Sequence, residues 1–403
     1  MPSRRQVLTS LGAVGVGSTA GCLGNSDVGT AASDDDPDGT TDWPMANFDA
    51  VGSGYNPKPV GPTERPSEQW SVEVGWQSSR PVVADGTVYF ASLTHLRAFD
   101  VESGEERWHV GPTDEEDRPG YTAPAVHDGA VYVGVRRGTP GLLALDAADG
   151  SEQWRYEVGD HGLERLVAPD YVRKDDWDGM VLADTDGVVH YVDLDDHEAR
   201  WTFEVYGRVT RLATRGSVVY AGTEGGEVYA FYDGEGLWRR KLPGKITALA
   251  VQRDGGDVFA STFGGGVFRL RGGAHAGRTD WHAEDGPVAH EAFVVADGRV
   301  CGTDLADATV LDEGSGEVEW EVDGDFGVPP AGAGDTLYLG GETGVTAYEL
   351  GGGFGLDGFR FGGKRWHYPF EGSVGSGVTV ADGAVFAVDT GDEDGSSRLR
   401  VLA

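Results

Sequence analysis

From residue 81 to the end, the chain alternates short apolar runs with small polar turns. Pro81-Val82-Val83-Ala84 is followed by Asp85-Gly86, then Thr87-Val88-Tyr89-Phe90, then Leu96-Arg97-Ala98-Phe99-Asp100. Pro124-Ala125-Val126-His127, Asp128-Gly129, Ala130-Val131-Tyr132-Val133 and Leu143-Ala144-Leu145-Asp146 repeat the same order. Runs of four to six residues rich in Val, Tyr and Phe predict strands, and an Asp-Gly pair between two of them predicts a tight hairpin. No unit carries a helical period of useful length.

A Trp closes each unit. Trp70, Trp108, Trp154, Trp201, Trp238, Trp281, Trp320 and Trp366 fall at spacings of 38, 46, 47, 37, 43, 39 and 46 residues. A period near forty points to a propeller or solenoid, and three strands plus a Trp-bearing fourth are the content of one propeller blade. The expected fold is therefore all-β, an eight-bladed β-propeller of four-stranded antiparallel blades over residues 43–403. The last unit, Val378–Ala387 with Arg398–Leu402, has three strands and no Trp, whereas Trp70-Ser71-Val72-Glu73-Val74 precedes any complete unit. The expectation is that this N-terminal strand completes the last blade and closes the ring, leaving no open sheet edge.

The units also share a local motif. Ala98-x-Asp100-x-x-Ser103-Gly104-x-x-x-Trp108 resembles the tryptophan-docking motif of the PQQ-like, quinoprotein-type β-propeller repeat. Ala144-x-Asp146-x-x-Asp149-Gly150-x-x-x-Trp154 and Val310-x-Asp312-x-x-Ser315-Gly316-x-x-x-Trp320 are similar, and Tyr191-x-Asp193-x-x-Asp196-His197-x-x-x-Trp201 is a weaker copy. Trp43-Pro44-Met45 and Gly54-Tyr55-Asn56-Pro57 resemble the lead-in of archaeal secreted members. The Asp is expected to accept from the N–H groups of the following turn, as Asx turns do. Each Trp is expected to pack into the neighbouring blade. Burying an indole removes about 150–250 Å² from water, roughly 4–6 kcal/mol as an upper bound.

The first residues read differently. Ser3-Arg4-Arg5-Gln6-Val7-Leu8 precedes an uncharged run, Val7 to Ala20, too short to span a bilayer as a helix. With Ala20-Gly21-Cys22 after it, the segment resembles a twin-arginine export signal, residues 1–21, ending in a lipobox. The resemblance implies that Arg4 and Arg5 are read for export and that Cys22 becomes a lipidated N-terminus on the outer face of the cell membrane. Residues 22–42, with Asp34-Asp35-Asp36-Pro37-Asp38, have the composition of a disordered acidic linker.

Charge narrows the function. The 403 residues hold 67 Asp and Glu against 32 Lys and Arg, a net charge of −35. Nucleic acid is an unsuitable ligand for such a surface. Self-repulsion of this size weakens folding at low salt and fades in molar salt, where the Debye length is about 3 Å. With only five Lys, the composition resembles that of proteins from salt-loving archaea.

Catalytic chemistry is hard to find in the sequence. The PQQ-like resemblance implies pyrroloquinoline quinone with calcium, a catalytic Asp and often a disulfide of adjacent Cys. This chain has two Cys, Cys22 and Cys301, far apart, and Cys301 replaces a core Tyr or Phe of other units. The ten His show no metal spacing. Gly264-Gly265-Gly266 and Gly351-Gly352-Gly353 read as hairpin turns or loops, and Asp389-Thr390-Gly391-Asp392-Glu393-Asp394-Gly395 as a solvated loop that departs from the calcium-loop pattern. The expectation is a monomeric scaffold with no cofactor and no catalytic residue, binding a protein partner at the cell surface. The alternative is a quinoprotein dehydrogenase of alcohols or sugars.

Overall fold

A computed structural model describes residues 41–58, 60–75, 79–112, 118–159, 170–174, 177–356, 359–391 and 397–403. The export signal and nearly all of the acidic linker, with Arg4, Arg5 and Cys22, lie outside the described residues.

The body is the eight-bladed propeller that the Trp spacing predicts. Eight antiparallel sheets follow one another along the chain. Blade one is built from Val82–Ala84, Thr87–Ala91, Leu96–Asp100 and Glu106–Val110, in that order from the channel outward. The innermost strands of blades two to eight are Ala125–His127, Asp170–Lys174, Val209–Arg215, Ile246–Val251, Val294–Ala296, Ala331–Ala333 and Thr379–Ala381. Asp85-Gly86, Asp128-Gly129, Asp297-Gly298 and Asp382-Gly383 all have positive φ at both residues. That is the type I′ geometry whose twist suits a two-residue hairpin.

The ring closes as expected. Glu68–Val74 pairs antiparallel with Ser397–Leu402, placing Trp70 opposite Val401. Blade eight thus joins the two ends of the propeller.

Three sequence expectations need correction. Strands are not all short: in blade seven, Gly344–Leu356 and Phe359–Pro369 run to 13 and 11 residues. Gly351–Gly353 is accordingly not a hairpin turn; it lies inside the longer strand where the register breaks between Tyr348 and Gly353. Asp389 is not solvated either. It is buried at a strand end, pairs with Arg400 at 2.9 Å and accepts from the backbone N–H groups of Gly372 and Gly391. Residues 392–396 of that segment lie outside the described residues.

The lead-in does something its sequence does not announce. Its carbonyl oxygens accept from the innermost strands, or their hairpins, of seven blades. Trp43 pairs with Val83, Pro44 accepts from Val126, Ala50 from Thr214, Val51 from Val251, Ser53 from Val295, Gly54 from Gly332, and Val60 from Gly383, all at 2.6–3.0 Å. Tyr55–Asn56 even adds a parallel fifth strand to blade seven. The innermost edges would otherwise carry unpaired backbone groups, and this segment satisfies them. Trp43 and Phe48, fully buried and edge to face at 5.2 Å, fill the space between. Only glycine fits at position 54: φ is +60°, and a Cβ would stand 2.2 Å from the Phe293 oxygen. The lead-in is a plug, bound where the innermost strands end and their first hairpins turn.

Candidate functional site

The docking Trp form one repeated joint. Trp108 sits opposite Ala98 on the neighbouring strand of its own blade, and Trp154 opposite Ala144, so the motif's Ala makes room for the indole. Each indole then reaches the next blade. Trp70 Nε1 donates to Val101 O at 2.9 Å, Trp108 to Ala147 O at 3.0 Å, Trp281 to Glu313 O at 2.9 Å and Trp320 to Leu350 O at 3.1 Å. The faces of those four rings rest on Gly104, Gly150, Gly316 and Gly352, where any Cβ would come within 2.6 Å. Trp201 lies against Gly234 and Trp238 against Gly277. Blade three departs from the pattern. His197 takes the glycine position at φ +59° and stacks on Trp154, centroids 4.4 Å apart. Trp108, Trp320 and Trp366 are buried and the other five partly buried.

The motif acids hold the turns beneath these joints. Asp100 Oδ1 accepts from the N–H groups of Glu102 and Ser103 and from the Ser103 hydroxyl, while Oδ2 pairs with Arg107 at 2.7 Å. Asp193 and Asp312 repeat the arrangement, Asp193 with Arg200 and Asp312 with the Ser315 hydroxyl and N–H. These contacts are architectural. Cys301 is equally structural, fully buried in blade six, where burial pushes the thiol well above its ordinary range.

The plug lies at one end of the channel, and the other set of loops borders the opposite end. There the innermost strands begin, reached by the links between blades, and the hairpins joining second and third strands lie around it. Three large apolar side chains stand out on this face: Tyr206 in the link from blade three to four, Phe263 in the blade-five hairpin and Leu305 in the blade-six hairpin, 75%, 71% and 78% exposed. They occupy neighbouring sectors.

Three charged residues, Arg80, Arg211 and Glu291, lie on or just before innermost strands. Arg80 precedes the innermost strand of blade one and is 5% exposed. It donates to the carbonyl oxygens of Ala46, Pro329 and Pro330 at 2.7–3.0 Å, and Nε packs over Gly377 with no acceptor. Burial lowers its guanidinium to about 9, so it stays charged at neutral pH. Arg211, on the innermost strand of blade four, donates to Thr247 O and Thr210 O at 2.7 and 2.5 Å. Burial lowers it too, and Glu291 opposes the shift in both arginines. Glu291 precedes the innermost strand of blade six with φ at +70°, a left-handed conformation costly for a residue with a side chain. Its backbone N–H bonds to Thr247 O, and its carboxylate stands 3.8 Å from Arg211 Nη2.

At the plugged end, a cleft of about 280 Å³ is bordered by Tyr55, Gln252, Arg253, Asp297 and Glu313. Two of its polar side chains are paired: Arg253 with Asp49 at 2.7 Å, and Gln252, which donates to Glu313. Among the described residues no three of His, Cys, Asp and Glu are grouped to hold a metal ion.

Known proteins place this architecture. A family described as "Outer membrane protein assembly factor BamB" matches residues 58–210 and 185–321. The chain belongs to this family of PQQ-like β-propellers. Within it, the outer membrane protein assembly factor BamB of Xanthomonas campestris pv. campestris is 30% identical over 291 residues, 64% of this chain and 68% of that protein. The crystal structure of BamB from Moraxella catarrhalis superposes with a TM-score of 0.62 at 18% identity, over 83% of this chain and 97% of that one. Quinohemoprotein alcohol dehydrogenase from Comamonas testosteroni superposes with a TM-score of 0.66 at 14% identity, over 90% and 80%. At such identities the two structures share the fold with this chain and nothing finer.

The Trp joints were visible in the sequence. The charged residues Arg80, Arg211 and Glu291 were not, because they come from three blades and match no local motif.

Proposed function

We propose that this propeller is a lipid-anchored scaffold on the outer face of the cell membrane, docking a protein partner on the face opposite the plug. The observation that carries the reading is the placement of Tyr206, Phe263 and Leu305, three large exposed apolar side chains in neighbouring sectors of one face. Exposed apolar groups that converge on one face mark interaction surfaces, whereas scattered ones need no explanation. The BamB relative, an assembly factor by name, is consistent with a scaffold. The lipobox at Cys22 and the Arg4-Arg5 pair supply export and anchoring in this reading, with the acidic linker as spacer and the propeller as a monomer. The composition resembles that of proteins from salt-loving archaea, which have no outer membrane of the bacterial kind, so in this reading the partner is a surface protein rather than an outer-membrane barrel.

The test is a pull-down from native membranes in 3 M KCl. The protein is compared with a Tyr206→Ser, Phe263→Ser, Leu305→Ser variant of unchanged melting temperature. The wild type retains a partner that the variant loses; equal capture by both contradicts the reading. In parallel, Cys22→Ala releases the protein into the medium if the anchor is real.

The second reading, a quinoprotein dehydrogenase, rests on the fold shared with the Comamonas testosteroni enzyme. The scaffold reading carries no cofactor: among the described residues no three of His, Cys, Asp and Glu are grouped, so a calcium ion with the quinone would have to rely on fewer carboxylates and on carbonyl oxygens. Dye reduction with alcohols or sugars after addition of quinone and calcium would revive it.

A further inference from the structure

Blade four reverses the charge of the protein. Residues 205–245, the blade with the links at its two ends, hold seven Lys and Arg against four Asp and Glu, a net +3 in a chain of −35. Arg211 and Arg215 are turned to the carbonyl oxygens of Thr247 and Arg253. Arg208, Lys241 and Lys245 are exposed on the face opposite the plug, in loops that all lie within the described residues. Arg208 precedes the innermost strand, Lys241 ends the outer strand, and Lys245 stands in the link to blade five.

Backbone bonds join these cations to two of the exposed aromatic side chains. The Phe263 N–H donates to Lys245 O at 2.8 Å. The Glu224 N–H donates to Arg208 O and the Leu242 N–H to Gly226 O, both at 2.8 Å, so the blade-four hairpin ties its inner link to its outer one. The Tyr206 N–H donates to Tyr229 Oη at 3.0 Å, and the Arg239 guanidinium lies 5.9 Å from the centre of the Tyr229 ring. Two acids face the cations within this sector, and neither is close: Glu224 is 3.8 Å from Arg208 and Glu227 is 3.7 Å from Lys241, both beyond hydrogen-bond length. Exposed acids border the sector, Asp186 and Glu204 on blade three and Glu284 and Asp285 after the outer strand of blade five. The positive surface is therefore confined to one sector, and Tyr206 and Phe263 flank it.

We propose that this sector docks an acidic segment of a partner protein that also carries aromatic or large aliphatic side chains. Tyr206 and Phe263 receive its apolar groups, and Arg208, Lys241 and Lys245 its carboxylates. The inference rests on the scaffold reading and adds the chemistry of the partner. Charge complementarity selects the occupant: a basic segment meets its own sign here and finds acid elsewhere on the protein. In molar salt the Debye length is about 3 Å, so charges act only at contact. The apolar groups then supply the hold, and the cations decide which segments fit.

The experiment is fluorescence anisotropy of the full chain in 3 M KCl with a labelled twelve-residue peptide of six Asp, three Phe and three Gly. One control peptide has Lys in place of Asp, the other Ser in place of Phe. The wild type binds the Asp–Phe peptide saturably and at least tenfold more tightly than either control. The double substitution Lys241→Glu, Lys245→Glu weakens that binding at least tenfold, whereas Lys241→Arg, Lys245→Arg keeps it; circular dichroism checks that both variants are folded. The proposal is overturned if the wild type does not bind the peptide, if the Lys peptide binds as well as the Asp one, or if charge reversal changes nothing. It is also overturned if sedimentation shows wild-type dimers that the Glu variant does not form, which would make the occupant a second copy of this chain. Failure of the scaffold reading looks different: the membrane pull-down then shows no partner lost by the Tyr206→Ser, Phe263→Ser, Leu305→Ser variant, whatever the peptides do.

Discussion

The Trp366 indole donates to the carbonyl oxygen of Pro62 at 2.8 Å, across 304 residues of chain. Every other joint is made by consecutive units, but blade eight takes its outer strand from the N-terminus, so the turn that should receive Trp366 is supplied by the lead-in. Tyr338 donates to the same oxygen at 3.3 Å. Truncating Trp366 to Ala therefore removes both a core side chain and the seam contact. The expected loss is about 3–5 kcal/mol in denaturant unfolding, with the folding transition still cooperative.

The glycines under the indoles are not interchangeable with other left-handed glycines. Gly104 has φ +72° and a Cβ there would sit 2.6 Å from the Trp70 ring; Gly383 has φ +84° with open space around it. Gly383→Ala carries only the backbone penalty, on the order of 1 kcal/mol. Gly104→Ala carries the clash as well and costs at least about 2 kcal/mol more. Thermal melts of the two variants in the same salt read the difference.

Acid weakens the turns. Arg107 and the Ser103 groups hold Asp100 below the usual carboxylate range, and the Ser315 hydroxyl and N–H do the same for Asp312. At Asp193 burial works the other way, but Arg200 and the turn N–H groups outweigh it and the carboxyl is again lowered. A depressed carboxyl stabilises the fold above its unfolded value of about 3.8, and that contribution is lost as pH falls through the folded value. Stability should therefore drop below about pH 4. In Asp193→Asn the deficit against the wild type, clear at pH 6, should shrink at pH 2–3. A deficit that stays constant with pH would remove Asp193 from the explanation.

With a net charge of −35, stability should rise with screening. The melting temperature in 3 M KCl should exceed that in 0.2 M KCl by many degrees. Equal values would mean that the excess acid is spread widely enough to be harmless at low salt.

How much was legible follows from how each feature is encoded. The blades were readable because their signals are local: Asp-Gly at hairpins, Ala opposite Trp, Asp three residues before the turn residue it holds. Ring closure followed from a Trp without a unit at one end and a unit without a Trp at the other. The plug left no such trace. Its bonds run from its own carbonyl oxygens to strand edges, so they require no particular side chain apart from the glycine at 54 and the buried Trp43 and Phe48. His197 could not be read as a joint because it replaces the expected glycine by stacking. Gly351–Gly353 misled for a related reason: a glycine run signals a turn, but here it supplies a break in register inside a long strand. Arg80, Arg211 and Glu291 are single charges in separate units, and only the circular arrangement sets Arg211 beside Glu291.

The most direct measurement is removal of residues 43–75, which takes away the plug, the Pro62 contact and the outer strand of blade eight together. The account predicts that this shortened protein, in 3 M KCl, shows no cooperative melting transition by near-ultraviolet circular dichroism. A transition at the wild-type temperature would contradict it, because the ring would then stand without the strand that joins its ends.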